Sequence, residues 1–263
     1  MADSLADWLA LREAVDHASR SAALTRAVSD ALPSARPLCI VDLGSGTGSN
    51  VRYLAPRLPS PQHWLLVDRD ASLMEQAKHA TRLVETRTMD LGAFDGSIVA
   101  GAHLVTASAL LDLVSGRWLR RLAAACRELR ALALFALTYN GGSHCAPVEP
   151  EDDHIRELFN RHQRTNDKGF GTAAGPDAVE LASAAFGDAG YRVHVEASDW
   201  HLTSDLRALQ AALINGWAEA AAELEPSRAS TIESWRLRRL AHVNAGRSTI
   251  VVSHDDIAAT PIE

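Results

Sequence analysis

The amino-acid sequence predicts an α/β protein built on a doubly wound, mostly parallel sheet. Between residues 37 and 137, short apolar runs of strand character alternate with segments whose apolar residues recur at helical spacing. This alternation is typical of parallel strands joined by crossover helices that cover both faces of a sheet. The first apolar run ends in a glycine-rich turn that opens a helix, and ligands of open parallel sheets bind at such turns.

The N-terminal half divides into a helical segment and a sheet-forming core. Residues 1–33 are expected to form N-terminal helices, and Leu5–Leu32 is helical in character with no break before Pro33. Residues 34–139 are expected to bind a cofactor, on five strands at Pro37–Leu43, Trp64–Asp68, Thr81–Met89, His103–Ala107 and Ala131–Leu137. The core helices are predicted at Ser49–Leu58, Ala71–Ala80 and Arg117–Leu129.

The C-terminal half is predicted to insert helices before the last strand. The helices are expected at Asp152–Arg164, Asp177–Ala189, Asp205–Leu224 and Thr231–Asn244, and the strands at Tyr191–Ala197 and Ser248–Ser253. Ser230 and Glu233 have the spacing of a capping box at the start of the last helix. Residues 140–175 and 204–246 are predicted to form a substrate-side cap within a single domain over residues 1–263.

Composition excludes several classes of protein. The 263 residues carry 26 basic and 33 acidic side chains, a net charge of −7, so no nucleic-acid partner is expected. No apolar run is long enough to span a membrane and the start lacks the order of a signal peptide, so we expect a cytoplasmic protein. Three cysteines without CxxC spacing are expected to be reduced, and no His/Cys cluster predicts a metal site.

The glycine turn runs Val41-Asp42-Leu43-Gly44-Ser45-Gly46-Thr47-Gly48. Glycines let the backbone approach a ligand closely, and a helix N-terminus attracts an anion. The dinucleotide fingerprint G-x-G-x-x-G is not met, because residue 49 is serine. Asp42 would repel a pyrophosphate but would attract an ammonium group. A zwitterionic amino-acid ligand therefore suits the turn.

The turn resembles the first motif of the class I S-adenosylmethionine-dependent methyltransferases, and the resemblance covers about Leu38 to Leu137. It implies a Rossmann-like fold with S-adenosyl-L-methionine as cofactor. Asp68, followed by Arg69, stands where the family binds both ribose hydroxyls. Asp90 would accept a bond from the adenine amino group. The full set of implied cofactor residues is Asp42, Gly44, Ser45, Gly46, Asp68, Arg69, Asp90, Leu91, Ala107 and Ser108.

Three residues are predicted to act on the acceptor. Asp112 follows the fourth strand and Tyr139 the fifth, so both lie at the binding edge of the sheet. His162 falls in a polar, glycine-punctuated segment, residues 161–171, that is predicted to be a substrate lid with His162 as a base. The alternatives are a helix cap or a surface turn for Asp112 and a solvated charged loop for the lid. Asn140 and the two glycines after it are interpreted either as a turn or as part of the site.

Further side chains are assigned to acceptor binding or to packing. In the lid, Arg161, Arg164 and Lys168 would bind an acidic acceptor, and His144 and His154 are weaker candidates for a base. Trp8, Arg12, Asp16 and Arg20 are spaced four apart on one helix face, either an exposed stripe or a face folded over the cofactor site. Trp200, Trp217 and Trp235 either line an apolar pocket or pack between helices.

The function expected from these features is methyl transfer to a small-molecule acceptor by in-line displacement. An Asn/Asp-Pro-Pro-Tyr/Phe motif, usual in enzymes that methylate base amines, is absent after the fourth strand, where the chain reads Ser108-Ala-Leu-Leu-Asp112. The alternatives are a cofactor-binding regulatory or partner subunit, an aminopropyl transferase that uses the decarboxylated cofactor, and an NAD(P)-dependent oxidoreductase.

Overall fold

The computed structural model describes residues 4–33, 37–81, 84–165, 167 and 169–263. Within these ranges the strands are β1 (Leu38–Leu43), β2 (Gln62–Asp68), β3 (Val84–Thr88), β4 (Leu104–Ser108), β5 (Leu132–Ala146), β6 (Tyr191–Ala197), β7 (Trp200–Leu202) and β8 (Thr249–Pro261). The helices are α1 (Leu5–Ser19), α2 (Ala22–Ala31), α3 (Ser49–Leu54), α4 (Ala71–Ala77), α5 (Gly116–Leu129), α6 (Asp152–Thr165), α7 (Ala178–Asp188), α8 (Arg207–Leu224) and α9 (Ala229–Asn244).

The described strands form one sheet in the order β3-β2-β1-β4-β5-β8-β6, and β7 pairs with β8. Strands β1 to β5 pair in parallel, while β8 is antiparallel to β5 and β6. The strand order reverses between β1 and β4, and Leu43, Val67 and Ala107 lie side by side there. The predicted α/β class is therefore confirmed, and the turn after β1 lies at the topological switch point.

The sheet buries both faces, as parallel strands do. One face packs against α5 and α7 around Phe135 and Trp118, and the other packs against α2 and α3 around Trp64 and Leu54. A third apolar cluster lies under α6, α8 and α9, where it includes Trp217. The helices beyond the sheet thus have a core of their own. None of the described helices has the length and apolar character that a membrane crossing requires.

The N-terminal segment is helical as expected, but a break that was not expected divides Leu5–Leu32 into α1 and α2. Arg20 has extended backbone, with φ −60° and ψ 141°, and the Ser21 hydroxyl accepts a hydrogen bond from the Leu24 N–H at 3.0 Å. This capping begins a new helix. The Arg20 side chain is buried, and its Nε lies 3.4 Å from Asp256 Oδ2 on β8.

The predicted ends of the fifth and last strands are also wrong. β5 continues through Asn140 to Ala146, and β8 runs from Thr249 to Pro261. The two extensions pair antiparallel, with Cys145 opposite Ile250. Asn140-Gly141-Gly142 is therefore part of an irregular strand and not a turn between elements, although the pairing shifts register between Tyr139 and Ser143. The extension lengthens the sheet on the side of β8.

Two smaller differences concern the C-terminal helices and strands. The last helix begins at Ala229 after Arg228, without a side-chain cap, so the Ser230–Glu233 capping box does not form. Glu233 instead pairs with Arg236 one turn along the helix. The short strand β7 was not predicted, because three residues, Trp200 to Leu202, are too few to give a periodic pattern.

Candidate active site

The glycine turn after β1 has the backbone that its sequence predicts. Gly44, Gly46 and Gly48 have φ of +66°, +51° and +83°, which side-chain-bearing residues rarely adopt. The N–H groups of Gly44 and Ser45 both donate to the Val67 carbonyl oxygen, at 2.8 and 3.1 Å. A Cβ on Gly46 would lie 3.0 Å from Leu9 Cδ1. The turn is thus fastened to β2 and lies close beneath α1.

Asp42 lies behind the turn and does not line the cavity. It is fully buried, and its Oδ1 accepts a hydrogen bond from Asn50 Nδ2 at 2.6 Å. Burial raises the pKa of Asp42 to about 7, against the opposing effect of the hydrogen bonds from Asn50 and Ser45. Asp42 therefore does not contact a ligand ammonium group directly, contrary to expectation, because its carboxylate has no exposed surface.

Asp68 lines the cavity at the end of β2, next to Arg69. Its Oδ2 accepts a hydrogen bond from the Gly46 N–H at 2.9 Å, and its Oδ1 accepts one from the Asp70 N–H at 3.0 Å. The carboxylate is therefore held at the mouth of the glycine turn. It still has lone pairs for a ligand, since each carboxylate oxygen accepts more than one hydrogen bond.

The residues after β3 and β4 divide into two groups. Leu91 and Ser108 line the cavity, together with Met89 and Leu73. Asp90 is exposed, accepts a hydrogen bond from the Gly92 N–H at 2.9 Å and is not part of the cavity wall. The buried Ala107 and Ser45 also contribute no surface to it. Asp90, Ala107 and Ser45 therefore do not line the cavity, and their contacts with a cofactor stay predictions.

A cavity of about 410 Å³ extends from the glycine turn to the helices of the C-terminal half. Its inner end is bounded by Gly44, Gly46, Asp68, Leu73 and Leu91. Its outer end is bounded by side chains from α1, α6, α8 and the extended strands: Trp8, Arg12, Tyr139, Phe159, Gln163, Trp200, Leu213, Trp217, Val252 and His254. Enclosed, mostly apolar pockets with a few polar groups are typical of small-molecule sites.

Two of the three predicted catalytic residues line this cavity. Asp112, in the turn after β4, and Tyr139, on β5, are both buried. The Tyr139 hydroxyl donates to Asn160 Oδ1 at 2.8 Å, and burial raises the pKa of Tyr139 well above its usual range. Tyr139 is therefore a neutral hydroxyl in this site.

His162 is not part of the cavity wall in this structure, and its role as a base stays a prediction. Its Nε2 lies 2.9 Å from Glu223 Oε2, on the neighbouring helix α8. The next residue, Gln163, lines the cavity instead. Successive residues of a helix point about 100° apart, so only one of the two side chains faces inward.

The other polar side chains proposed for the lid also lie elsewhere. Arg161 is 3.8 Å from Glu225, and Arg164 makes two hydrogen bonds with Asp177, at 2.9 and 2.8 Å. His154 is 2.9 Å from Glu225 Oε2, and His144 is exposed on β5. Arg161 and Arg164, which were predicted to bind an acidic acceptor, thus form salt bridges on the protein surface. Lys168 lies outside the described residues.

The N-terminal helix folds over the cavity, which settles the alternatives for its polar face. Trp8 and Arg12 line the cavity wall, and Arg12 Nε donates to Asp16 Oδ2 at 2.8 Å. Asp16 is buried rather than exposed. Trp200 and Trp217 line the same cavity, whereas the indole N–H of Trp235 donates to Asp152 within the core of the C-terminal helices.

His254 on β8 is a cavity residue that the sequence did not indicate. Its Nδ1 lies 3.0 Å from the Val252 carbonyl oxygen, so Nδ1 carries the hydrogen and Nε2 is left as an acceptor. Burial and the charge of Arg12 lower the pKa of His254 to about 3. The site therefore contains a neutral imidazole. Only the pairing of β8 with β5 and β7 brings this histidine beside Tyr139 and Trp200.

Similar solved structures are methyltransferases and related enzymes. An S-adenosylmethionine-dependent methyltransferase from Geobacter sulfurreducens, in complex with S-adenosyl-L-homocysteine, aligns over 100% of both chains with 16% identity and a TM-score of 0.50. The cyclopropane synthase MmaA2 from Mycobacterium tuberculosis aligns with 9% identity and a TM-score of 0.48, over 90% of this chain and 82% of that one.

A phosphoethanolamine N-methyltransferase from Haemonchus contortus aligns over 99% of this chain and 59% of its own, with 11% identity and a TM-score of 0.48. No protein-family model matches the sequence, and no curated protein matches it significantly. The similarity is therefore one of fold. The chain has the fold of the class I S-adenosylmethionine-dependent methyltransferases.

Proposed function

We propose that this chain is an S-adenosylmethionine-dependent methyltransferase that acts on a small molecule. The observation that carries the proposal is one cavity that joins the glycine turn and Asp68 to an aromatic wall on α1, α6 and α8. The first part suits the cofactor and the second part suits an acceptor. Because the cavity is covered by helices, a discrete molecule fits it better than a polymer.

The inner end of the cavity suits the cofactor chemically. Gly44 and Gly46 line the cavity without side chains of their own, so a ligand can approach their backbone closely. Asp68 offers a carboxylate for two vicinal hydroxyls. Leu73, Met89 and Leu91 offer apolar surface for a purine ring. Leu91 and Met89 would therefore contact the adenine ring, for which the sequence resemblance implied a hydrogen bond to Asp90.

The protein contributes mainly alignment to the reaction. The bound cofactor supplies an activated methyl group on a sulfonium, so the acceptor needs to be held in line with it. The wall provides a neutral phenol at Tyr139, a carboxylate at Asp112 and a neutral imidazole at His254 for orienting the acceptor atom. A carboxylate or imidazole can also take a proton when the acceptor arrives protonated.

Calorimetric titration with S-adenosyl-L-homocysteine tests the proposal. Wild type is expected to bind at one site per chain. Asp68→Ala is expected to weaken binding by tenfold or more, because one carboxylate bonded to two hydroxyls is lost. Asp188→Ala, which removes an exposed carboxylate at the end of α7, is the matched control and should bind as wild type does. Equal affinities of wild type and Asp68→Ala would reject the assignment of Asp68.

A further inference from the structure

Six rings form a continuous arc on the outer wall of the cavity. We call them the aromatic arc: Trp8, Trp200, His254, Tyr139, Phe159 and Trp217. Taken in that order, successive ring centroids lie 6.5, 4.9, 6.1, 5.7 and 6.4 Å apart. The rings come from six different elements, α1, β7, β8, β5, α6 and α8, yet all of them line one cavity. Aromatic rings favour another flat ring in offset or edge contact.

Arg12 gives one end of the arc a positive charge. Its Cζ lies 5.5 Å from the centroid of Trp200, and it lines the cavity beside His254. Its Nε donates to Asp16, but its Nη1 and Nη2 make no hydrogen bond to any residue that the structure describes. The planar pair of terminal nitrogens is the part of arginine that binds a carboxylate in bidentate fashion.

The environment of Arg12 favours an anionic partner over a cationic one. The neighbouring Asp16 engages Arg12 through Nε alone, at 2.8 Å, so the edge of the guanidinium that carries Nη1 and Nη2 is not used by this pair. A bound ammonium group at this end would face the guanidinium as a like charge. Among the described residues of the cavity wall beyond the cofactor end, the carboxylate belongs to Asp112, which lies near Tyr139.

We propose that the methyl acceptor is a flat aromatic carboxylic acid, with its ring against the aromatic arc and its carboxylate paired with Arg12. This inference rests on the proposed function, because it uses the outer end of the same cavity. The arc selects for a planar ring over a saturated one. Arg12 selects for a carboxylate over an amine.

Binding of three probes to wild type tests the inference without any substitution. The probes are 2-naphthoate, its saturated analogue decahydro-2-naphthoate, and 2-naphthylmethylammonium, each titrated calorimetrically with S-adenosyl-L-homocysteine present at saturation. The first is expected to bind at least tenfold more tightly than the second, which lacks the aromatic ring, and than the third, which reverses the charge. Equal affinities, or a preference for the ammonium compound, would overturn the inference.

Arg12→Gln tests the assignment of the charge. The variant is expected to bind 2-naphthoate at least tenfold more weakly than wild type and to bind S-adenosyl-L-homocysteine unchanged. The control is Arg87→Gln on β3, whose exposed side chain pairs with Glu85 far along the sheet from β8. It should bind both ligands as wild type does. Thermal midpoints of both variants verify that they are folded.

The cofactor also has a carboxylate that could pair with Arg12. A second pair of ligands distinguishes the carboxylate of the cofactor from that of the acceptor. If Arg12→Gln weakens S-adenosyl-L-homocysteine tenfold but leaves 5′-methylthioadenosine unchanged, Arg12 binds the cofactor carboxylate and the inference is overturned. If wild type binds no S-adenosyl-L-homocysteine, the proposed function fails together with the inference. If it binds that compound but does not prefer 2-naphthoate, the inference alone fails.

Discussion

Asp42 gives the chain a dependence of stability on pH. The pKa of an aspartate in an unfolded chain is about 3.9, while burial raises the pKa of Asp42 in the folded chain to about 7. Between these values the folded state binds a proton that the unfolded state has lost. The contribution of Asp42 to the free energy of unfolding therefore falls as the pH rises from about 4 to about 7.

We predict that Asp42→Asn removes this loss. The amide keeps the shape of the carboxylate and an oxygen for Asn50 Nδ2, but carries no charge to bury. Relative to wild type, the variant should gain on the order of 1–3 kcal/mol of stability between pH 4.5 and pH 7.5. Urea unfolding at several pH values measures this difference, with Asp188→Asn as the control. A difference between variant and wild type that is constant with pH would contradict the prediction.

His254 is predicted to remain neutral wherever the protein is folded at ordinary pH. Its pKa is lowered to about 3 by burial and by Arg12, so it loses its proton far below pH 5. The ring resonance of His254 is the one that disappears from the spectrum of His254→Gln. Its chemical shift should not change between pH 5 and pH 8 in an NMR titration. A titration midpoint near 6.5 would show that solvent reaches the imidazole.

At the scale of elements, the glycine turn and the helix above it fit closely. Gly46→Ala is predicted to weaken binding of S-adenosyl-L-homocysteine by more than tenfold, because its Cβ would press on Leu9 and narrow the cavity. Gly101→Ala is the matched control. Gly101 has φ +75° but nothing within 4 Å of the added Cβ. Both variants should lose about 1 kcal/mol of stability from the left-handed backbone, but only Gly46→Ala should lose affinity.

The junction of α1 and α2 is fastened to the sheet by a buried ion pair. Arg20 Nη1 donates to Asn50 at 2.8 Å, and Asp256 accepts hydrogen bonds from the backbone N–H groups of Ser21 and Leu137, at 2.9 and 2.8 Å. The pair thus links the N-terminal helices to the glycine turn, because Asn50 also bonds to Asp42. It links them to the cavity wall as well, because Leu137 lines the cavity. Leu137 needs this support, since its φ is +53°.

Removal of one partner from this pair is predicted to be costly. Arg20→Met leaves the Asp256 carboxylate buried without its cation, and the expected loss is roughly 3–5 kcal/mol of the free energy of unfolding. Arg164→Met is the control, because Arg164 makes two hydrogen bonds with Asp177 on the surface and its loss should cost no more than about 1 kcal/mol. Urea unfolding compares the two. Similar losses in both variants would contradict the account of the junction.

At the scale of the whole molecule, the core of the sheet could be predicted from local sequence patterns. The pairings between residues far apart in the chain could not. The strands of the parallel sheet were predictable because each is a continuous apolar run followed by a turn. The places of Asp68, Asp112 and Tyr139 at the cavity followed from the rule that parallel strands end at one edge.

The outer wall of the site could not be predicted in the same way. Asn140-Gly141-Gly142 has the composition of a turn, and it lies within a strand only because the flanking Tyr139 and Ser143 pair with β8, more than 100 residues later in the chain. The same pairing brings His254 into the cavity. The polar face of α1 has the pattern of an exposed stripe, and its inward orientation depends on contacts with β7 and β8 that no local signal encodes.

The most direct measurement of the central claim is thermal unfolding of the purified protein with each of four ligands: S-adenosyl-L-methionine, S-adenosyl-L-homocysteine, NAD and NADP. A ligand at 100 times its dissociation constant stabilises a protein by about 2.7 kcal/mol. We expect a clear rise of the unfolding midpoint with the two adenosyl sulfur compounds and none with NAD or NADP. A rise with NAD or NADP alone, or with none of the four, would contradict it.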